Sequence, residues 1–416
     1  METQRFINLG VPVSLSVLDN GLTVITVELP SQLVHANLSF TVGALDDGSM
    51  TGLAHFLEHI LFEGPARDGA HPYFRELIQH GVEADASTNW CSTDYYAHGL
   101  ANNAVDIITA LLRVGFVGRI NRDNIERERR VITRELAGRK KRPEASFNEW
   151  KSKLLYPAYP MLSGRPAGTA VSVNSIGYDD LCFHYGWKYN PSASVLVVSG
   201  AIRHDDVLRA VIDCSFIPSR ARRESAQRRE PINRAIERAA FCSLETSEKT
   251  ILYFNQLTNR VDRIRAGILQ DLITGFPFGL LTQKLRMEEG IVYKIHAAGS
   301  GYWFMPFEEI TVHADPANFN HIEDELMNCF RRIARGDITA EAWNTALSRN
   351  RTFFAVRPNA GAAQWGEWLL NRWLAGDIED IDAGKIAQES TRDDLAWIAE
   401  RILERGRLGR IDIVHS

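Results

Sequence analysis

Cysteine is scarce in this chain of 416 residues, and long apolar runs are absent from it. The five cysteines form no Cys-x-x-Cys pair, which excludes a cysteine-type structural zinc site and a disulfide framework. We therefore expect reduced thiols and a cytoplasmic protein. No apolar segment reaches the about 18 residues that a membrane-spanning helix needs, and the first residues lack the basic and apolar regions of a signal peptide.

An excess of positive charge is also absent. The formal net charge of −5 argues against a nucleic acid or an anionic membrane as the main partner. A hydrophobic content of 45% and a charged content of 24% are those of an ordinary globular protein. The chain is too long for one compact core, so two domains of about 200 residues each are expected.

Two halves of the chain repeat one order of predicted elements: strands, a helix, further strands, then helices. This order predicts an α+β fold with two homologous domains, each a mixed, mainly antiparallel β-sheet with helices packed on it. We place the first domain at residues 1–217 and the second at 236–416. Residues 218–235 are rich in arginine and poor in apolar residues, which indicates a solvated linker.

One short motif carries chemistry. Leu53 to Leu61 has apolar residues at helical spacing, and within it His55 and His59 are four residues apart, on one face. Two imidazoles so placed can share a metal ion, and Glu58 lies beside the second. The order His-x-x-Glu-His is the inverzincin arrangement. The alternative is a pair of surface or core histidines on an amphipathic helix.

A catalytic zinc needs a third protein ligand and an open position. The predicted helix over residues 121–141 offers Glu128 and Glu135, which are seven apart and share a face, whereas Glu126 points away. Spacing does not separate a ligand from a solvated, ion-paired helix, because four arginines surround these carboxylates.

Taken together, these segments resemble the M16 (insulinase/pitrilysin) family of zinc peptidases, in the short two-domain M16B form related to mitochondrial processing peptidase. The residues that carry the resemblance are Gly52–His59, Glu135 at 76 positions past His59, the segment Glu126–Glu135, and Leu285–Tyr293 in the second half. The resemblance implies the metallohydrolase fold of that family and a zinc endopeptidase acting on peptides or unfolded segments.

Carried over position by position, the resemblance implies that His55, His59 and Glu135 bind zinc (Zn2+). It makes Glu58 the general base that takes a proton from the attacking water, and Glu128 a carboxylate that supports the metal site.

In the second half, the resemblance assigns Arg286 and Tyr293 to binding the substrate backbone and stabilising the oxyanion. The residues alone would favour a surface ion pair of Arg286 with Glu288 or Glu289, and a core aromatic at Tyr293.

The stretch Ala84–Thr88 resembles the edge strand on which family members bind an extended peptide. This chain has Asp85 before Ala86, where the family usually has asparagine, so substrate preference cannot be carried over.

Because the family completes its site with the facing half of a clamshell, a two-domain chain implies a partner. A homodimer is our first expectation, since this chain has both motif sets, and a heterodimer with a related chain is the second. The competing reading is a non-catalytic subunit; such members typically lose motif residues, and this chain keeps them. A structural zinc site without hydrolysis is disfavoured by three ligands that leave a coordination position open.

Overall fold

The computed structural model describes most of the chain in two compact units. The described residues are 2–8, 10–63, 73–140, 149–153, 166–219, 239–243, 248–253, 260–299, 308–356, 359, 361–376, 378, 383–404 and 408–415. Among them, no helix is both long enough and apolar enough to cross a membrane. Four of the cysteines are described there as free thiols; the cytoplasmic location stays a prediction.

The first unit is built on a seven-stranded sheet of order β1-β2-β3-β7-β4-β6-β5. Its strands are β1 (Glu2–Asn8), β2 (Val11–Val17), β3 (Thr23–Glu28), β4 (Leu33–Phe40), β5 (Glu83–Thr88), β6 (Thr93–Leu100) and β7 (Ser194–Gly200). Its helices from the first half of the chain are α1 (Leu53–Glu63), α2 (Arg75–Gln79), α3 (Ala104–Val117), α4 (Arg122–Lys140), α5 (Ala170–Ser175), α6 (Tyr178–Lys188) and α7 (His204–Ile212). Only β3 and β7 are parallel neighbours in this sheet.

The second unit is built on a five-stranded sheet of order β10-β11-β9-β12-β8. Its strands are β8 (Ala239–Ser243), β9 (Glu248–Tyr253), β10 (Val292–Gly299), β11 (Glu308–Ala314) and β12 (Leu408–His415). The remaining helices are α8 (Arg260–Thr274), α9 (Leu280–Thr282), α10 (Phe319–Ala334), α11 (Ala340–Val356), α12 (Ala362–Leu374), α13 (Ala383–Glu389) and α14 (Arg392–Leu403). A π-helical turn, Gln283–Glu288, follows α9.

The two sheets share one topology. Reading β3-β7-β4-β6-β5 against β8-β12-β9-β11-β10 pairs each strand with a counterpart, and the parallel neighbours, β3 with β7 and β8 with β12, correspond. Strands β5 and β10 are therefore equivalent edge strands, and α8 occupies the place of α1 in the chain order. The predicted α+β fold of two similar domains is confirmed.

The units exchange segments of sequence. Residues 359–380, which include α12, belong to the first unit, and residues 146–157 belong to the second. Helix α12 packs on β4 and β7, and Ser199 Oγ donates a hydrogen bond of 2.6 Å to the Ala362 carbonyl. The predicted domains, 1–217 and 236–416, follow chain order and place α12 in the second domain, whereas the structure places it in the first unit. The predicted linker, 218–235, lies almost entirely outside the described residues.

Helix α1 is fixed at its N-terminus by a buried carboxylate. Asp47 accepts hydrogen bonds from the backbone N–H groups of Gly52 at 2.6 Å and Ala54 at 2.9 Å, which satisfies donors that a helix start leaves free. Gly52 has a φ of +93°, and a Cβ there would lie 2.6 Å from the Ala167 carbonyl oxygen, so only glycine fits. Phe56 and Ile60 are fully buried, which leaves the histidine-bearing face turned toward α4 and β5.

Candidate metal centre

Helices α1 and α4 bring three side chains together. His55 Nε2 and His59 Nε2 each lie 3.7 Å from Glu135 Oε2, and one ligand atom of each residue lies within 4.8 Å of the others. The two imidazole rings stand edge to face, with centroids 4.7 Å apart. Of the described residues, these three form the one cluster of histidines, cysteines and carboxylates compact enough to hold a metal ion.

The geometry and chemistry of this cluster fit zinc. Two ligands about 2 Å from a tetrahedral metal are about 3.3 Å apart, close to the two 3.7 Å separations, which are too long for hydrogen bonds. Two imidazoles and one carboxylate are a donor set found in catalytic zinc sites. The carboxylates of Glu58 and Glu128 stand around the same imidazoles, so the surroundings favour a cation.

Glu58 lies beside the cluster without joining it. Its Oε2 is 4.0 Å from His55 Nε2 and accepts a hydrogen bond of 3.2 Å from Thr88 Oγ1 on β5. Burial raises the pKa of Glu58 to about 7, against the opposing effects of His59 and the Thr88 hydroxyl. A carboxyl group with a pKa near neutrality is suited to exchanging protons with water.

Glu128 contacts the far side of the His59 ring. Its Oε2 lies 3.3 Å from His59 Nδ1, and its Oε1 accepts a hydrogen bond of 2.7 Å from Arg127 Nε. Burial lowers the pKa of His59, but the carboxylates of Glu128 and Glu135 outweigh it and raise that pKa to about 10. The alternative of a solvated acidic face does not apply to Glu128 and Glu135, whereas Glu126 is exposed and pairs with Arg129.

A cavity of about 310 Å3 opens onto the cluster, and edge strand β5 forms one wall of it. In the described part of the chain, β5 has β6 as its one strand neighbour. Asp85 Oδ1 accepts a hydrogen bond of 2.8 Å from the Ala86 N–H, and Asp85 Oδ2 accepts one of 3.3 Å from Tyr96. An edge strand with one described strand neighbour, placed beside this cluster, is suited to pairing with an extended peptide.

Arg286 and Tyr293 lie in the second unit. Arg286 is on the π-helical turn, with Cζ 4.8 Å from the ring centroid of Phe276 and 5.7 Å from that of Tyr293. Tyr293 lies at a register shift in edge strand β10 and is 81% exposed, so it is not a core aromatic. Bulges and π-turns often re-aim side chains at functional sites.

The expected ion pair of Arg286 with Glu288 or Glu289 is not observed, because these two carboxylates have other partners. Glu288 pairs with Lys284, and Glu289 pairs with Lys284 and His321.

Three supporting residues were missed from the sequence. The sequence places Thr88 in the predicted edge strand but gives no sign of its hydrogen bond to Glu58. Arg127 is one of the four arginines around the carboxylates of α4, and Asp47 stands in a polar stretch before α1. A signal existed only for Asp47, because an aspartate shortly before a predicted helix is a typical cap.

The three clustered side chains of this two-unit α+β fold could hold one metal ion, and those on α1 follow the His-x-x-Glu-His order of the inverzincin arrangement. Models of one peptidase family match both halves of the chain. The model described as insulinase, peptidase family M16, matches residues 23–157, and the one described as the peptidase M16 inactive domain matches residues 175–350. The chain belongs to peptidase family M16. The resemblance read from the sequence is confirmed.

Curated relatives share part of the chain. An uncharacterized zinc protease of Mycobacterium leprae is 28% identical over 68% of this chain and 65% of its own length. The β subunit of the mitochondrial-processing peptidase of Lentinula edodes is 33% identical over 49% of this chain and 44% of its own length. The matched region thus spans between about half and two thirds of these relatives.

A solved structure shares the whole fold. The periplasmic protease PqqL of Escherichia coli superposes with a TM-score of 0.79 at 17% identity, over 97% of this chain and 48% of that chain. At this identity the likeness concerns the fold, and in extent the present chain corresponds to about half of that protein.

Proposed function

We propose that the chain is a zinc-dependent endopeptidase that hydrolyses peptides or unfolded segments. The observation that carries this proposal is the convergence of His55, His59 and Glu135 beside the separate carboxyl group of Glu58. A site with three ligands keeps a coordination position open, as catalysis requires and a structural site does not.

In the proposed reaction, Glu58 is the general base. Its carboxylate takes a proton from the attacking water and returns it to the leaving amine, while the Thr88 hydroxyl keeps that carboxylate turned toward the cluster. His55, His59 and Glu135 would hold the zinc ion, which would supply Lewis acidity to the attacking water and the peptide carbonyl.

Substrate binding is proposed to use edge strand β5. An extended peptide paired with its free edge would have its backbone carbonyl beside the cavity at Glu58, so specificity for an unfolded segment follows from the binding mode. Arg286 and Tyr293 are proposed to bind the substrate backbone and the developing oxyanion. The exposure of Tyr293 and its place on β10, the edge strand equivalent to β5, support this role.

We propose that a second copy of the chain supplies Arg286 and Tyr293 across a clamshell. The correspondence of this chain to about half of the single-chain PqqL fold supports a pair of such chains. A heterodimer with a related chain remains the second form of assembly.

Metal removal tests the activity. The purified chain is expected to cleave unstructured peptides of a mixed library, and a zinc chelator to lower that cleavage at least about 100-fold, because the Lewis acid is lost. Mass spectrometry of the products measures the cleavage, and added zinc should restore it. Cleavage that persists in a chain shown to be free of metal would rule out the zinc mechanism, and a zinc-loaded chain that cleaves nothing would favour the non-catalytic subunit.

Subunit mixing tests the assembly. Glu58→Gln and Tyr293→Phe chains, each inactive alone, should regain about a quarter of the wild-type rate after subunit exchange, because half of the dimers are mixed and each of those has one intact site. Two different affinity tags establish that the exchange has occurred. Exchanged but inactive mixtures would argue against sites completed by a second copy.

A further inference from the structure

Glu128 is a buried carboxylate whose two oxygens have different partners. The residue is 2% exposed; one oxygen faces His59 Nδ1 at 3.3 Å, and the other accepts the Arg127 Nε–H at 2.7 Å. A buried carboxylate is stable only when its charge is compensated and its oxygens are hydrogen-bonded.

Arg127 is an unexpected partner for Glu128. Consecutive residues on a helix do not face each other, so the Arg127 side chain has to bend back to reach its neighbour. Other arginines of α4 have partners elsewhere: Arg129 donates to the carbonyls of Val173 and Ile176, and Arg122 pairs with Asp179. Of the described residues, Arg127 is the one lysine or arginine that pairs with Glu128.

This contact matters most when the metal is bound. An imidazole that binds a metal through Nε2 is neutral and carries its proton on Nδ1, where it donates a hydrogen bond to a supporting carboxylate. In that state His59 gives Glu128 a hydrogen bond but no charge. Arg127 then supplies the positive charge that keeps Glu128 buried and directed at the ring.

We propose that Arg127 is a positioning residue of the metal centre, which acts through Glu128 to hold the His59 ring with Nε2 directed at the ligand cluster. This inference rests on the proposed zinc site. It assigns a role to a side chain that touches neither the metal position nor the substrate cavity.

Metal affinity in the full-length chain tests the inference. Zinc binding is measured by competition with a chromophoric chelator, and Arg127→Gln is expected to weaken it about 10-fold, the lower end of the range for residues that contact a ligand directly, because Arg127 acts through Glu128. Arg130→Gln is the matched control, because it removes the same charge from an exposed position of the same helix and should change affinity less than about twofold. Arg127→Lys keeps the charge without the planar fork and should recover part of the loss.

Two further measurements separate positioning from a general loss of structure. The Tm values of the metal-free Arg127→Gln and wild-type chains should agree within a few degrees. The visible spectrum of bound Co2+ should shift in the variant, because the His59 ring turns.

Unchanged zinc affinity and Co2+ spectrum in Arg127→Gln, or equal losses of affinity in Arg127→Gln and Arg130→Gln, would overturn the inference. If Arg127→Gln fails to fold, Arg127→Lys decides: wild-type affinity and an unshifted spectrum there would also overturn it. A wild-type chain that binds zinc no better than Glu135→Gln would instead refute the proposed metal centre.

Discussion

Replacing Glu58 by glutamine is expected to lower kcat/KM for peptide cleavage by about 100- to 10,000-fold, the range that removal of a general acid–base group produces. Glutamine has the shape of glutamate, and its amide oxygen can still accept the hydrogen bond from Thr88. It cannot take a proton from water. Because Glu58 is not one of the three residues proposed as ligands, zinc should stay bound at one ion per chain.

Glu126→Gln is the control for this change. It makes the same chemical substitution on an exposed residue of α4 that pairs with Arg129, and both cleavage and zinc content should match the wild type. Peptide cleavage is measured by mass spectrometry and zinc content by atomic absorption. Equal cleavage by the wild-type and Glu58→Gln chains would show that the proposed base has no part in the reaction. Loss of zinc from Glu58→Gln would move Glu58 into the ligand set.

The sequence predicted α1 and its two histidines, but it did not separate the roles of the two carboxylates on α4. Helical spacing from Leu53 to Leu61 predicted α1, because a helix that buries one side must repeat its apolar residues with that period. The same reasoning left Glu128 and Glu135 equivalent, since residues seven apart share a face. Packing separates them: Glu135 meets the Nε2 side of His59, and Glu128 meets its Nδ1 side. The family resemblance, not the spacing, indicated that Glu135 is the one to propose as the metal ligand.

Two features could not be predicted from the sequence, for related reasons: the exposed position of Tyr293 at a register shift, and the packing of α12 in the first unit. The register shift beside Tyr293 is set by pairing with β11 and leaves no local signal. Helix α12 has a clear apolar face with Trp365 and Leu369, and such a face shows that a helix is buried without showing which sheet it covers. Chain order favoured the second domain, whereas the structure packs α12 on β4 and β7 of the first.

Gly366 is the position where this packing is most sensitive to substitution. A glycine inside a helix costs about 1 kcal/mol relative to alanine, so its presence in α12 needs a reason. A Cβ at Gly366 would lie 2.6 Å from His35 Cδ2 and 3.3 Å from Ser199 Oγ, and His35 is itself buried in β4. The backbone of α12 therefore lies so close to the side chains of β4 and β7 that any Cβ at this position would force the His35 ring to shift.

Gly366→Val is expected to destabilise the first unit by about 3 kcal/mol or more, because the helix must move away from its sheet. For a unit of this size, the loss lowers its Tm by about 6–12 °C, measured by circular dichroism.

Gly366→Ala should also destabilise the first unit, although alanine is the better helix former. Gly186→Ala in α6 is the matched control: its Cβ meets nothing within 4 Å, so that variant should melt at or above the wild-type temperature. If Gly366→Ala and Gly186→Ala shift Tm in the same direction, the close approach of α12 to β4 does not limit stability. Tm shifts of opposite sign would establish that α12, a helix from the second half of the sequence, stabilises the sheet that contains β5 and packs against α1.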